Sequence, residues 1–126
     1  MQITASAVSL NVADPQASAQ FLIDHLGFTE KMAADGFVAL SRADAGMDVI
    51  YLRTGLGSFK PARIGGSAGE GLLIVFVVDD IDREYDRLRA EGVPIETPIE
   101  TEEWGERYFQ MTDPNGVVIQ LVQWVC

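Results

Sequence analysis

Few residues in this chain are equipped for chemistry. There is one histidine, His25, and one cysteine, Cys126 at the last position. Neither a Ser-His-Asp nor a Cys-His relay can be assembled, because the single imidazole falls in the last turn of an expected helix, just before Gly27. A solvent-facing histidine there favours the helix C-terminus when charged. One thiol allows no intrachain disulfide and reads as an incidental terminal group. The carboxylates offer more: Glu96, Glu100, Glu102, Glu103 and Glu106 follow one another with no basic residue until Arg107. Such a run is either a solvated loop or an attractor of cations. Glu103 and Glu106 flank Trp104, a pattern able to hold a cation over an indole face for about 0.5–2 kcal/mol.

The whole chain points the same way. A formal net charge of −10 over 126 residues lacks the Lys/Arg footprint that nucleic acid requires, and it repels anionic membranes. The expected partner is a small-molecule ligand, possibly cationic, with no nucleic acid and no membrane. Hydrophobic residues make up 48% and charged residues 22%, which suits one globular domain with a real core. No apolar run approaches the roughly 20 residues of a membrane span. No basic residue precedes the apolar stretch within Met1–Leu10, unlike a signal peptide, so a cytoplasmic protein is expected.

The elements that must position these groups come in two similar halves. Leu10, Val12 and Asp14 match Phe76, Val78 and Asp80, each 66 residues later. Both segments alternate as strands do. A helix follows in each half. Asp14 before Pro15 suits an N-cap with proline at the first helical position; Ala17, Phe21, Leu22 and Leu26 recur at helical spacing, and Gly27 is the stop. In the second half Asp80 or Asp82 caps a helix carrying Ile81, Tyr85 and Leu88, stopped by Gly92. Three strands are then expected per half, near 28–33, 37–41 and 47–53, and near 95–100, 106–112 and 117–124. The last two are joined by Asp113-Pro114-Asn115-Gly116, a strong hairpin signal. The glycine-rich stretch 55–69 between the halves is either a slack tether or a lid bearing Phe59, Lys60 and Arg63. The expected fold is α+β: two βαβββ modules in tandem (1–54 and 70–126, linker 55–69), forming a curved mixed sheet around a central cleft with the helices outside.

Leu10-x-Val12-x-Asp14 with Phe21 and Leu26-Gly27-Phe28 resembles the opening of a vicinal oxygen chelate module. Phe76-x-Val78-x-Asp80-x-Asp82 with Tyr85 and Leu88 resembles the second opening. Trp104-Gly105-Glu106-Arg107, Asp113-Pro114-Asn115-Gly116-Val117 and Leu121 are similar to its closing hairpin. The superfamily includes glyoxalase I, extradiol dioxygenases and bleomycin-resistance proteins. The resemblance covers nearly the whole chain as a single domain. It implies paired βαβββ modules and usually a homodimer, but no single activity.

The resemblance also locates a metal site and finds it depleted. Metal-dependent members hold a divalent ion with His, Glu or Gln from four strands; the aligned positions here carry Ala7, Tyr51, Leu73 and Gln120. No metal and no cofactor are therefore expected. If Ala7 and Leu73 face the cleft, alternation brings Ser9 and Asn11, and Val75 and Val77, with them. Tyr51 would bring Val49 and Arg53, and Gln120 would bring Val118 and Val122. The resemblance places Glu106, Tyr108 and Gln110 inward, with Trp104 at the strand entry. The expected ligand-binding residues are Asn11, Tyr51, Trp104, Glu106, Tyr108, Gln110 and Gln120, with no catalytic residue assigned. This lining suits planar or amphipathic organic molecules. The expected function is metal-independent sequestration of an aromatic or cationic molecule, in the manner of antibiotic resistance. The alternatives are a lyase or isomerase using Glu106 as general base, and a module used for assembly alone.

Overall fold

The computed structural model describes residues 1–125; Cys126 and the reading of its thiol lie outside them. The chain divides into two compact units, Met1–Glu70 and a second beginning at Gly71. Each has its own four-stranded mixed sheet and one helix, an α+β architecture built twice on the βαβββ plan.

The first unit runs β1 (Ala7–Val12), α1 (Pro15–Leu26), β2 (Thr29–Ala34), β3 (Phe37–Ser41) and β4 (Asp48–Arg53). Its strand order is β1-β4-β3-β2, with β1 parallel to β4 and the other pairs antiparallel. Helix α1 starts as its sequence dictates: the Asp14 carboxylate accepts from the Ala17 N–H at 3.3 Å, and Pro15 occupies the first turn. It ends at Gly27, whose φ of 70° is left-handed and open to glycine at no steric cost. The Arg42 guanidinium donates to the Leu26 carbonyl there, meeting one of the last turn's open acceptors. Phe21, Leu22 and Leu26 of α1 and Leu10, Val12, Val38, Leu40, Val49 and Tyr51 of the sheet form the core, none above 6% exposed. Each such aliphatic or aromatic side chain contributes about 1.5–3 kcal/mol by burial.

The second unit repeats this with β5 (Ile74–Val77), α2 (Ile81–Ala90), β6 (Ile95–Thr101), β7 (Glu106–Thr112) and β8 (Val118–Trp124), ordered β5-β8-β7-β6. Asp80 is the α2 cap, accepting from the Arg83 N–H at 3.2 Å. Gln123 ties α2 to β8: its Oε1 accepts from the Ile81 N–H at 3.1 Å and its Nε2 donates to the Asp79 carbonyl at 2.8 Å. Ile81, Leu88, Phe109, Met111 and Ile119 are fully buried, and Tyr85 stacks at a tilt on Phe109 with centroids 4.9 Å apart. In the closing hairpin Asp113 Oδ1 accepts from the backbone N–H groups of Asn115 and Val117, both at 2.9 Å, and Gly116 takes φ 83°.

The stretch after β4 is fastened to the first unit. Asn11 Nδ2 donates to the carbonyls of Ile64 (2.6 Å) and Gly66 (2.7 Å), the Ala68 N–H donates to the Asn11 carbonyl, and Gly55 pairs with Gly65. One 3-10 turn, Ala62–Ile64, lies within it. At the far edges of the two sheets, β2 breaks register between Glu30 and Met32, and β6 between Ile95 and Thr97 and again between Thr97 and Glu100. Among the described residues no helix is long and apolar enough to cross a membrane.

Candidate functional site

Alternation along the strands gives each sheet one face under its helix and one face free of it. In the second unit the cross-strand pairs Val75–Gln120, Gln110–Gln120 and Tyr108–Val122 place Val75, Val77, Gln120, Val122, Tyr108 and Gln110 on the helix-free face. Glu106 joins them beside Trp124. The opposite face carries Phe76, Leu121, Phe109 and Met111 toward α2, and also Arg107, whose guanidinium holds Asp82 of α2 at 2.6 Å. That pair keeps Asp82 below the usual carboxylate range and raises Arg107.

Two hydrogen-bonded groups occupy the free face. Thr97 Oγ1 donates to Gln110 Oε1 at 2.7 Å, and Gln110 Nε2 donates to Gln120 Oε1 at 2.9 Å. Two residues along β7, the Tyr108 hydroxyl lies 2.7 Å from Glu100 Oε1 and 2.8 Å from Glu102 Oε1. Its hydrogen bonding to Glu100, and then to Glu102, holds the phenol protonated well above its ordinary pKa, and the two negative charges add to the shift by opposing a phenolate. Trp104 sits in the turn between β6 and β7 and is 62% exposed. The Glu106 carboxylate has no hydrogen-bond or ion-pair partner among the described residues.

The first unit departs from expectation at two residues. Tyr51 pairs with Leu10, not with the face of Ala7 and Ser9, and at 1% exposure it is buried under α1. The residue facing Ser9 is Ile50, just as Gln120 faces Val75. Tyr51 is therefore the counterpart of Leu121, and aligning it with Gln120 was wrong by one residue, which in a strand turns the side chain to the other face. The hairpin glycines carried the correct spacing: Gly46 and Gly116 are 70 apart, as are Ile50 and Gln120. Asn11 does lie on the helix-free side of β1, but both its amide hydrogens are spent on Ile64 and Gly66. Its observed role is to pin the following chain. Arg53 shares the face of Tyr51, as alternation requires, and so leaves the free face with it; it pairs with Asp35 at 3.1 Å and lowers that carboxyl's pKa. The pair borders a depression of about 240 Å³ with Asp14, Gln16 and Phe37.

The residues missed by sequence are thus Phe37, Ala39, Ile50 and Leu52. They stand on the first unit's free face where Tyr108, Gln110, Gln120 and Val122 stand on the second. One face is apolar and its counterpart is polar.

A sheet-and-helix unit on the βαβββ plan, repeated in tandem, defines a fold class. The family model for the glyoxalase/bleomycin resistance protein/dioxygenase superfamily matches residues 4–121, and the chain belongs to that superfamily. An uncharacterised protein of Bacillus subtilis, YraH, is 35% identical over 57 residues, a stretch covering 44% of this chain; the chain thus spans 44% of that relative's length. Among solved structures, a glyoxalase/bleomycin resistance protein/dioxygenase from Nocardioides is similar with a TM-score of 0.78 at 22% identity, covering 99% of this chain and 85% of that one. A lactoylglutathione lyase from Agrobacterium tumefaciens gives 0.77 at 18% identity, covering 97% and 94%. TioX from Micromonospora sp. ML1 gives 0.72 at 22% identity, covering 98% and 100%. At these identities the likeness is one of fold.

The superfamily's divalent metal does not fit the residues present. Ala7 and Leu73 have no donor atom, Ile50 replaces Tyr51 at the third position and has none either, and Gln120 alone offers an amide. Among the described residues no three His, Cys, Asp or Glu side chains gather as a metal site.

Proposed function

We propose that this chain binds and sequesters a small aromatic or cationic organic molecule on the helix-free face of its second unit, without protein-bound metal. The observation that carries this reading is the Tyr108–Glu100–Glu102 group beside the Gln110–Gln120 amides on one face bordered by Val75 and Val77. An apolar floor with a few fixed polar groups orients a planar ligand. The carboxylates favour a positive charge on it, and Trp104 at the rim supplies an indole face. Protection against an antibiotic is the biological role this chemistry suits. A homodimer and a cytoplasmic setting complete the proposal, the former supported by the habit of the superfamily.

Thermal shift with 1-methylquinolinium, a planar cation, tests it. At 100 times the dissociation constant a ligand stabilises by about 2.7 kcal/mol, a melting shift of roughly 8–16 °C for a chain of this size. The shift is expected to vanish in Trp104→Ala or Tyr108→Ala; full binding by both variants refutes the site.

A second reading has one observation in its favour: Glu106 is on the same face with an unpartnered carboxylate. A lyase or isomerase would use it as general base. Turnover lost in Glu106→Gln with binding retained supports that reading, and turnover retained removes Glu106 from it.

A further inference from the structure

The side-chain amides of the second unit form a chain with a direction. Thr97 donates to Gln110, Gln110 donates to Gln120, and both amide oxygens are thereby used. The chain ends on Gln120 Nε2, which brings two N–H donors. Among the described residues nothing accepts from that nitrogen. Gln120 is only 6% exposed, between Val118 and Val122 on its own strand and beside Val75 on the next. Yet its nitrogen is not sealed in: the one side-chain N or O atom buried without a partner among the described residues is Thr54 Oγ1. The donor is therefore reachable from the free face, where the acceptor of a ligand can take the place of water.

Charge selects the acceptor. Glu100, Glu102 and Glu106 stand on or around the same face, and the second unit carries twelve Asp and Glu against four Arg. A carboxylate or phosphate brought to Gln120 would meet that field. A neutral carbonyl oxygen would not, and the flanking valines suit a flat apolar body behind it. We propose that Gln120 Nε2 is a specificity-determining donor, hydrogen-bonding the neutral carbonyl oxygen of a planar ketone, lactam or amide. This rests on the binding face proposed above and adds the ligand's chemical class; a positive charge elsewhere on the ligand is compatible with it.

Three probes sharing one ring system test the assignment by NMR titration of ¹⁵N-labelled protein: 1-methyl-2-quinolone (neutral carbonyl), 1-methylquinolinium (cation without an acceptor) and quinoline-2-carboxylate (anion). The quinolone is expected to move the Gln120 side-chain amide pair, and the quinolinium to leave it in place. Gln120→Glu and Gln120→Leu are expected to bind the quinolone about tenfold more weakly, the loss of one well-placed hydrogen bond, while keeping the quinolinium. The amide shift in the unaltered protein keeps the test decisive even where a variant fails to fold. A silent Gln120 resonance with unchanged quinolone binding overturns this inference and leaves the binding face standing. Preference for the carboxylate overturns the neutral-carbonyl assignment, and binding by none of the three overturns the face itself.

Discussion

Exchanging the chemistry of two neighbouring residues in β4 tests the register on which the site description depends. Tyr51 is 1% exposed beneath α1, and Ile50 lies on the free face at the position Gln120 takes in the second unit. Truncating a fully buried aromatic removes its transfer free energy and leaves a cavity, together costing about 3–5 kcal/mol. Tyr51→Ala is therefore expected to lower Tm by roughly 10–20 °C for a chain of this size. Ile50→Gln installs the residue its counterpart carries on a half-exposed face and should cost about 1 kcal/mol. Urea unfolding followed by far-UV circular dichroism separates the two, because both tryptophans lie in the second unit and report less on the first. The midpoint should fall sharply for Tyr51→Ala and slightly for Ile50→Gln, with the slope unchanged in both. Equal losses, or the larger loss at Ile50, would refute the face assignment.

Two further outcomes follow from the second unit. Because Glu100 and Glu102 raise the Tyr108 pKa in the folded state, the unfolded chain releases that proton first as pH climbs past about 10. The stabilisation is complete below that pH and is lost as pH rises toward the folded value; Tyr108→Phe should remove this part of the pH dependence and one late-titrating phenol from the ultraviolet spectrum. Asp113 is 4% exposed and accepts from two backbone N–H groups, so Asp113→Ala should cost about 2–4 kcal/mol in chemical unfolding.

Much of the fold was legible because its punctuation is local. Asp14-Pro15 and Gly27 bound α1 as expected, Asp113 to Gly116 make the closing turn, and the expected strands fall within one or two residues of those observed. In the second unit Tyr108, Gln110 and Gln120 share a face, Gln110 directly opposite Gln120, and it was the family resemblance that pointed to that face, since Glu106-Arg107 and Tyr108-Phe109 blur any alternation along β7. Tyr51 was misplaced because Val49, Ile50, Tyr51 and Leu52 form an unbroken apolar run, in which a period of two leaves no trace. The pinning of residues 55–68 by Asn11 was invisible for another reason: its acceptors are backbone carbonyls, which no side-chain pattern announces.

The broken registers at β2 and β6 bear on how the protein behaves in a crowded solution. An open strand edge is a template on which a foreign strand can grow. At β2 the bulge is accompanied by Glu30 and Lys31, and at β6 by Pro98, which has no N–H to offer, and by Glu96 and Glu100. Each device spoils the straight ladder a fibril needs. At β2 and β6, two of the four sheet edges, the ladder is thus spoiled for a foreign strand.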